Sequence, residues 1–348
     1  MRQKSYRKAV VYFIICIFVV LTLMFLQRLV MPKYMSDVTE GAMIAEYYAE
    51  QKNHDVIFIG DCEIYDTFVP AILWEKFGIH SYVRGSAQQL IWQSYYLLED
   101  TLRYETPDVV VFNVLSLKYN TPQKESYNRM TLDGMRFSGT KLKAVKASML
   151  KEEHMIEYIF PLLRYHSRIT DLSKEDVVYL FKKDKVTHNG YYMRVDSMPA
   201  TELPEVRPLG EYAFGEKALS YLDQIVALCK ENGITLVLVK APSLYPHWYD
   251  PWEQQIEEYA SLHELPYINF LELTKECGID YSQDTYDAGM HLNLYGAEKV
   301  TMWFGEFLQQ ELGLPDRHDE TALSEIWEIK LQNFYRDKEI KTKQWLNN

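Results

Sequence analysis

The sequence predicts an α/β fold: a three-layer α/β/α sandwich around a parallel five-stranded sheet, with an N-terminal transmembrane helix and a mainly helical insertion. Three observations predict it. Five short apolar runs alternate with segments of helical period. Gly and Pro punctuate them, as at Gly78, Gly85 and Gly233. The residues that stand out chemically fall at the carboxyl ends of the runs, where open parallel sheets place their sites.

The first element is Ala9 to Leu26, apolar throughout and continuing past Gln27 and Arg28 to Val30. That length suits one bilayer crossing, for which about 20 residues are needed. Arg2, Lys4, Arg7 and Lys8 precede it, so the positive-inside rule keeps this end cytoplasmic and puts everything after Pro32 outside. No small-x-small cleavage site follows in Gln-Arg-Leu-Val-Met-Pro-Lys, which favours an uncleaved signal-anchor in the cell membrane. A buried core helix is the plainer alternative, but the run has no polar face.

Met35 to Gln51 reads as a helix leading into the main domain. Val56 to Ile59 is a buried strand, and Pro70 to Phe77 a helix ending near Gly78. His80 to Arg84 is a second strand, after which Ser86 caps a helix running to about Tyr104. Val109 to Val114 is a third strand. From Leu115 to about Leu209 the βα alternation breaks: the chain is polar and rich in Lys and Tyr, with helical spacing over Lys141 to Arg168. This reads as an inserted lobe or lid. Alternation resumes with a helix Glu216 to Asn232, a strand Thr235 to Lys240, a helix Pro251 to His263, a strand Tyr267 to Phe270 and a helix Ala297 to Leu312. A charged helix, Glu320 to Lys341, is packed by one stripe or docks a partner. The division expected is 1–33 (tail and anchor), 34–114 with 210–314 (α/β domain), 115–209 (lobe) and 315–348 (C-terminal helix).

Beyond Lys33 the chain carries 31 Lys+Arg against 49 Asp+Glu, a net charge of about −18. Nucleic acid and an anionic lipid surface are thereby disfavoured as main partners; a neutral or cationic glycan is not. Of the four cysteines, Cys16 lies in the apolar run, and Cys62, Cys229 and Cys277 lie outside it. Cys229 and Cys277 are free to pair, a matter of proximity that spacing leaves open. No Cys-x-x-Cys or His-Glu-x-x-His spacing occurs, and neither metal nor cofactor is expected.

Cys62 carries the chemistry. It follows an apolar strand in Asp55-Val-Ile-Phe-Ile-Gly-Asp-Cys62, and Asp287 and His291 stand downstream in Tyr-Asp-Ala-Gly-Met-His-Leu-Asn. A thiol, a base and an orienting carboxylate are the parts of a nucleophilic acyl-transfer site. Each also has a plainer reading: a buried structural cysteine, a structural histidine, and an aspartate capping a turn. Gly85 offers an unobstructed backbone N–H for an oxyanion, or is a turn glycine. Asn113 is a third donor, or a strand-end hydrogen bond. Lys240 puts positive charge at the cleft mouth, or is an ordinary surface lysine. Arg164 and Arg168 in the lobe are substrate-binding candidates, or salt-bridged surface groups.

Over about Asp55 to Leu312 these residues resemble the SGNH/GDSL hydrolase superfamily. Gly60-Asp61-Cys62 resembles its first block with Cys at the serine position, Gly85 its second-block glycine, and Asp287 and His291 its terminal Asp-His pair. The anchor plus an outer domain resembles the branch containing DltD and the alginate O-acetylation proteins, which act beside a membrane-bound O-acyltransferase. The resemblance implies a flavodoxin-like fold and an esterase or O-acyltransferase acting on an acylated polysaccharide or other cell-envelope glycan. Three features depart from the pattern: Cys62 replaces serine, the spacing is Asp-x-x-x-His, and the third-block Gly-x-Asn-Asp is absent around Asn113. They open an alternative: a catalytically inactive glycan-binding or assembly subunit of a membrane acyltransferase complex on the same scaffold.

Overall fold

Alternate residues of a strand face opposite sides of its sheet, so a strand apolar at every position must be covered twice. The five strands among the described residues are largely of that kind, Ser81, Arg84, Asn113, Thr235, Lys240 and Asn269 being their polar positions. In the computed structural model, which describes residues 2–32, 41–181 and 185–347, they are β1 (Val56–Gly60), β2 (Ser81–Gly85), β3 (Val109–Asn113), β4 (Thr235–Lys240) and β5 (Tyr267–Asn269). They form one wholly parallel sheet in the order β2-β1-β3-β4-β5. This is the doubly wound, flavodoxin-like order.

Helices in chain order are α1 (Arg2–Val30), α2 (Ala42–Glu46), α3 (Cys62–Thr67), α4 (Pro70–Phe77) and α5 (Ile91–Thr101). The lobe contributes α6 (Glu125–Leu132), α7 (Gly139–Ser148), α8 (Met155–Ile159), α9 (Leu162–Tyr165) and α10 (Lys174–Phe181). There follow α11 (Glu216–Glu231), α12 (Asp250–Leu262), α13 (Leu294–Gln310) and α14 (Thr321–Leu346). Val56, Phe58, Val109, Val111, Val237 and Val239 face one layer, with Phe68, Phe304 and Trp327. Ile57, Ile59, Val110, Phe112, Leu236 and Leu238 face the other, with Trp92, Leu222 and Ile256. Cys277 belongs to the first layer and Cys229 to the second, and all four cysteines are free thiols, so the sheet separates the two that spacing left free to pair.

Several expected elements differ. Residues 35–40 of the expected Met35–Gln51 helix lie outside the described residues; of the rest, α2 and a 3-10 turn Tyr47–Ala49 form. Ser86 does not cap α5, which starts five residues later. The Ser86 hydroxyl bonds Gln89 and Thr131 instead, tying the strand end to the lobe. The helical spacing of Lys141 to Arg168 is broken into α7, α8, α9 and a 3-10 turn, His166–Asp171; Pro161, which lacks an N–H, stands at one break. The C-terminal helix packs by one stripe, Leu323, Trp327 and Phe334. Trp327 stacks on Trp74 at 5.5 Å and donates from Nε1 to His80 Nδ1 at 3.0 Å.

The lobe is joined to the core by buried polar contacts. Gln93 Nε2 on α5 donates to Asn128 Oδ1 at 2.9 Å, and Asn128 Nδ2 to the Ser148 carbonyl at 2.8 Å. Residues 186–200 then run back over the α/β core. Val83 N–H donates to the Asn189 carbonyl, Tyr192 N–H to Tyr65, and Leu294 N–H to Arg194. This return segment flanks the strand ends where the candidate residues gather.

Candidate active site

Cys62 occupies the first turn of α3, immediately past the carboxyl end of β1. Asp61 is the N-cap, its Oδ1 accepting from Glu63 N–H at 3.2 Å. Close packing of this short helix on the sheet requires Gly85: a Cβ there would lie 2.8 Å from Ile64 Cγ2. Gly85 pairs in register with Gly60, so its glycine is explained by the approach of α3 to β2.

Across from Cys62 is the loop before α13. Asp287 and His291 do not share a helical face; they are held by a tight turn. Ala288 and Gly289 have positive φ, 61° and 95°, which swings the chain so that Asp287 reaches forward to His291. Asp287 Oδ1 accepts from His291 N–H at 2.8 Å, and Oδ2 meets Nδ1 at 2.6 Å. Capping the turn and orienting the ring are therefore done by one carboxylate. The extra residue of the Asp-x-x-x-His spacing is absorbed by the left-handed pair. Gly289 is further constrained because a Cβ would lie 2.9 Å from Ala200 Cβ.

The same imidazole lies close enough to Cys62 to act on its thiol. With Nδ1 on Asp287, Nε2 is the nitrogen left to face sulfur. Burial pushes the thiol up from its ordinary value, and the adjacent ring pulls the other way. Burial also disfavours charge on His291, but Cys62, Asp287 and Asp66 outweigh it and hold the ring well above the usual histidine value. Thiol, imidazole and carboxylate form one contiguous set with Cys62 half-buried.

Two groups that sequence reasoning missed stand beside this set. Asp66 lies one helical turn after Cys62 on α3 and is buried. Its Oδ2 accepts from Tyr286 at 3.0 Å, while Oδ1 has no hydrogen-bond partner among the described residues. Burial pushes Asp66 up to about 7, with His291 and Tyr286 pulling down. The Tyr286 ring stacks on His291 at 5.6 Å, and Arg194 lies 4.5 Å over that ring. The i, i+4 relation to Cys62 was the available signal for Asp66. Lys118, half-buried after β3, interacts with charge at Asp61, Glu63 and Cys62. Burial lowers its pKa. Nothing in the local sequence marked it.

Beneath α3 is a buried polar floor that corrects two expectations. Asn113 Nδ2 donates to Asp61 Oδ1 and Glu63 Oε2, both at 2.9 Å, and Oδ1 accepts from Ala241 N–H at 3.2 Å. Both amide hydrogens are engaged, so Asn113 has none to offer an oxyanion. Lys240 is not at a cleft mouth: it is fully buried, with Nζ bonded to Glu63 at 3.1 Å, the Ala241 carbonyl at 2.6 Å and Ser243 Oγ at 2.9 Å. Ser243 also donates to Glu63. A lysine ending a buried parallel strand has no route to solvent, and the glutamate one residue past Cys62 meets it there. Asp61 is pushed up to about 6 by burial and by Glu63.

Arg164 and Arg168 are not gathered with these groups. Arg164 makes a two-pronged bond to Glu125 at 2.9 and 3.0 Å. Arg168 bonds the Val30 carbonyl at 2.7 Å and Asp176 at 3.3 Å. A cavity of about 1340 Å³ lies among α10, the return segment and α14. It includes Tyr192, Arg194 and Lys330 but neither Cys62 nor His291.

No protein-family model matches the chain, and no curated protein matches it. Among solved structures the chain is similar to a protein assigned to the G-D-S-L lipolytic family from Desulfitobacterium hafniense, at 11% identity, covering 73% of this chain and 99% of that one, with TM-score 0.38. It is also similar to a protein described as an acylhydrolase from Bacteroides fragilis, at 13% identity, covering 77% and 95%, TM-score 0.37. A GDSL-like lipase from Bacteroides thetaiotaomicron shares 13% identity, covering 78% and 100%, TM-score 0.36. The sheet order of this chain, rather than these distant likenesses, assigns the fold.

Proposed function

We propose that this chain is a thiol-dependent acyl-transfer enzyme, an esterase or O-acyltransferase with Cys62 as nucleophile, His291 as proton carrier and Asp287 as its orienting carboxylate. One observation carries the reading: Asp287 holds His291 by two hydrogen bonds, and the ring so held lies close enough to Cys62 to favour its charged form. In the first half-reaction Cys62 Sγ, its proton carried by His291, attacks an ester carbonyl. The tetrahedral intermediate collapses, the C–O bond breaks, and His291 returns the proton to the departing alkoxide. In the second half-reaction water or a sugar hydroxyl gives its proton to His291 and attacks the thioester. The thiolate leaves and is reprotonated. Asn113 cannot serve as an oxyanion donor, and the electrostatic coupling of half-buried Lys118 to Cys62 makes Lys118 the candidate for opposing that charge.

The wider reading puts this chemistry outside the cell membrane, with α1 as anchor, on an acylated cell-envelope glycan, beside a membrane-bound O-acyltransferase as in the branch resembling DltD. It is supported by the apolar span and by the acidic balance of the remaining chain. Full-length protein in detergent should hydrolyse p-nitrophenyl acetate with a rate that Cys62→Ala abolishes. A second reading, a non-catalytic glycan-binding or assembly subunit, is favoured by the engagement of both Asn113 hydrogens and by the upward push of burial on the thiol. Equal hydrolysis by wild type and Cys62→Ala, with cellular function retained by that variant, would select it.

A further inference from the structure

The lobe carries an apolar surface that neither the proposed chemistry nor the core uses. Phe160, Leu163, Ile169, Val178 and Phe181 are each half or more exposed, Phe181 at 82%, and all fall within residues 160–181. Single exposed apolar side chains are ordinary, whereas several of this size in one short stretch mark a contact surface. Their position identifies what covers them. α1 packs against α9, α10 and the 3-10 turn His166–Asp171, and Arg168 Nη1 is bonded to the Val30 carbonyl at the end of α1.

Distance along the helix places that junction. If Ala9 to Leu26 spans the hydrocarbon, Val30 lies about 6 Å beyond it at 1.5 Å rise per residue. A headgroup layer is roughly 5–8 Å thick on each side of the hydrocarbon. Arg168 is therefore held at headgroup depth, a usual level for arginine at a helix end. The exposed apolar side chains of α8 to α10 belong to the same small lobe as that arginine.

We infer that residues 160–181 form a second, monotopic membrane contact, in which the lobe lies on the outer leaflet and buries Phe160, Leu163 and Phe181 at the headgroup–acyl boundary, while Val178 lines the cavity between α10 and α14. The inference rests on α1 being a membrane anchor. The contact is apolar in character, and the acid surplus of the chain argues against attraction to anionic lipid as its source. Because α6 and α7 are locked to α5 through Gln93, Asn128 and Ser148, a docked lobe also fixes how the α/β core is oriented over the bilayer.

The test uses full-length protein in phosphatidylcholine vesicles, with a benzophenone amino acid replacing Phe181, Leu163 or, on the α/β core, the exposed Leu262. Vesicle flotation is followed by illumination and mass spectrometry of the labelled peptide. Flotation with phospholipid adducts at positions 181 and 163, several-fold above position 262, is the expected result. A chain that fails to float overturns anchor and lobe contact together. A chain that floats but gives no lipid adduct at 181 and 163, or equal adducts at 262, overturns the lobe contact alone. Adducts between two copies of the chain instead of lipid overturn it in favour of a protein-covered surface.

Discussion

Asp287→Asn isolates what the carboxylate does for the Cys62–His291 pair. The carboxylate meets His291 Nδ1 at 2.6 Å and is 29% exposed. A hydrogen bond to a charged group is worth about 1.5–3 kcal/mol, and partial exposure places this one at the low end. About 1.4 kcal/mol is a factor of ten in an equilibrium, so the His291 imidazolium loses roughly that much support and moves back toward its ordinary value. The ring then pulls the Cys62 thiol down less, and burial dominates. Asn keeps an Oδ1 acceptor for the His291 N–H, so the turn survives. The assay is the rate of iodoacetamide alkylation at the peptide containing Cys62 near pH 7, with unchanged thermal unfolding as the control. The expected rate is about tenfold below wild type. A rate within about twofold of wild type, in a folded variant, would refute the claim that Asp287 tunes the pair.

Three further outcomes follow from the same geometry. Lys240→Met leaves the Glu63 carboxylate buried without its partner and should destabilise by about 3–5 kcal/mol in urea unfolding; adding Glu63→Gln should recover much of it, and a single variant as stable as wild type would contradict the buried floor. Trp327→Ala removes a side chain stacked on Trp74 and should cost about 3–5 kcal/mol, read as a lower unfolding midpoint. For Asp66 the folded pKa is about 7 against about 3.9 unfolded. Between those values the unfolded chain has lost the proton that the native state keeps, so stability falls as pH rises from about 4 to about 7 and then levels. Asp66→Asn should flatten that slope, and an unchanged slope would place Asp66 in a more solvated setting.

The sheet was legible because its strands are short, mostly apolar runs that alternate with helical segments, as a parallel sheet covered on both faces requires. Cys62, His291 and Asp287 were legible because each sits beside a turn signal at a strand end or before a helix. Long-range pairing was not. Asn113 and Lys240 end their strands as the sequence said, yet their polar atoms point into a floor whose carboxylates, Asp61 and Glu63, lie far from both in sequence. Lys118 escaped for the same reason, since its neighbours come from α3. The broken lobe helices follow local stops such as Pro161 that a periodic count passes over, and the Ser86 cap was displaced because its hydroxyl found Thr131 in the lobe.

The central claim is that Cys62 is acylated and that His291 makes it so. Full-length protein incubated briefly with p-nitrophenyl acetate, quenched in acid and digested, should carry an acetyl group on the Cys62 peptide, greatly reduced in His291→Ala. An unmodified Cys62, or equal acetylation in wild type and His291→Ala, would contradict it.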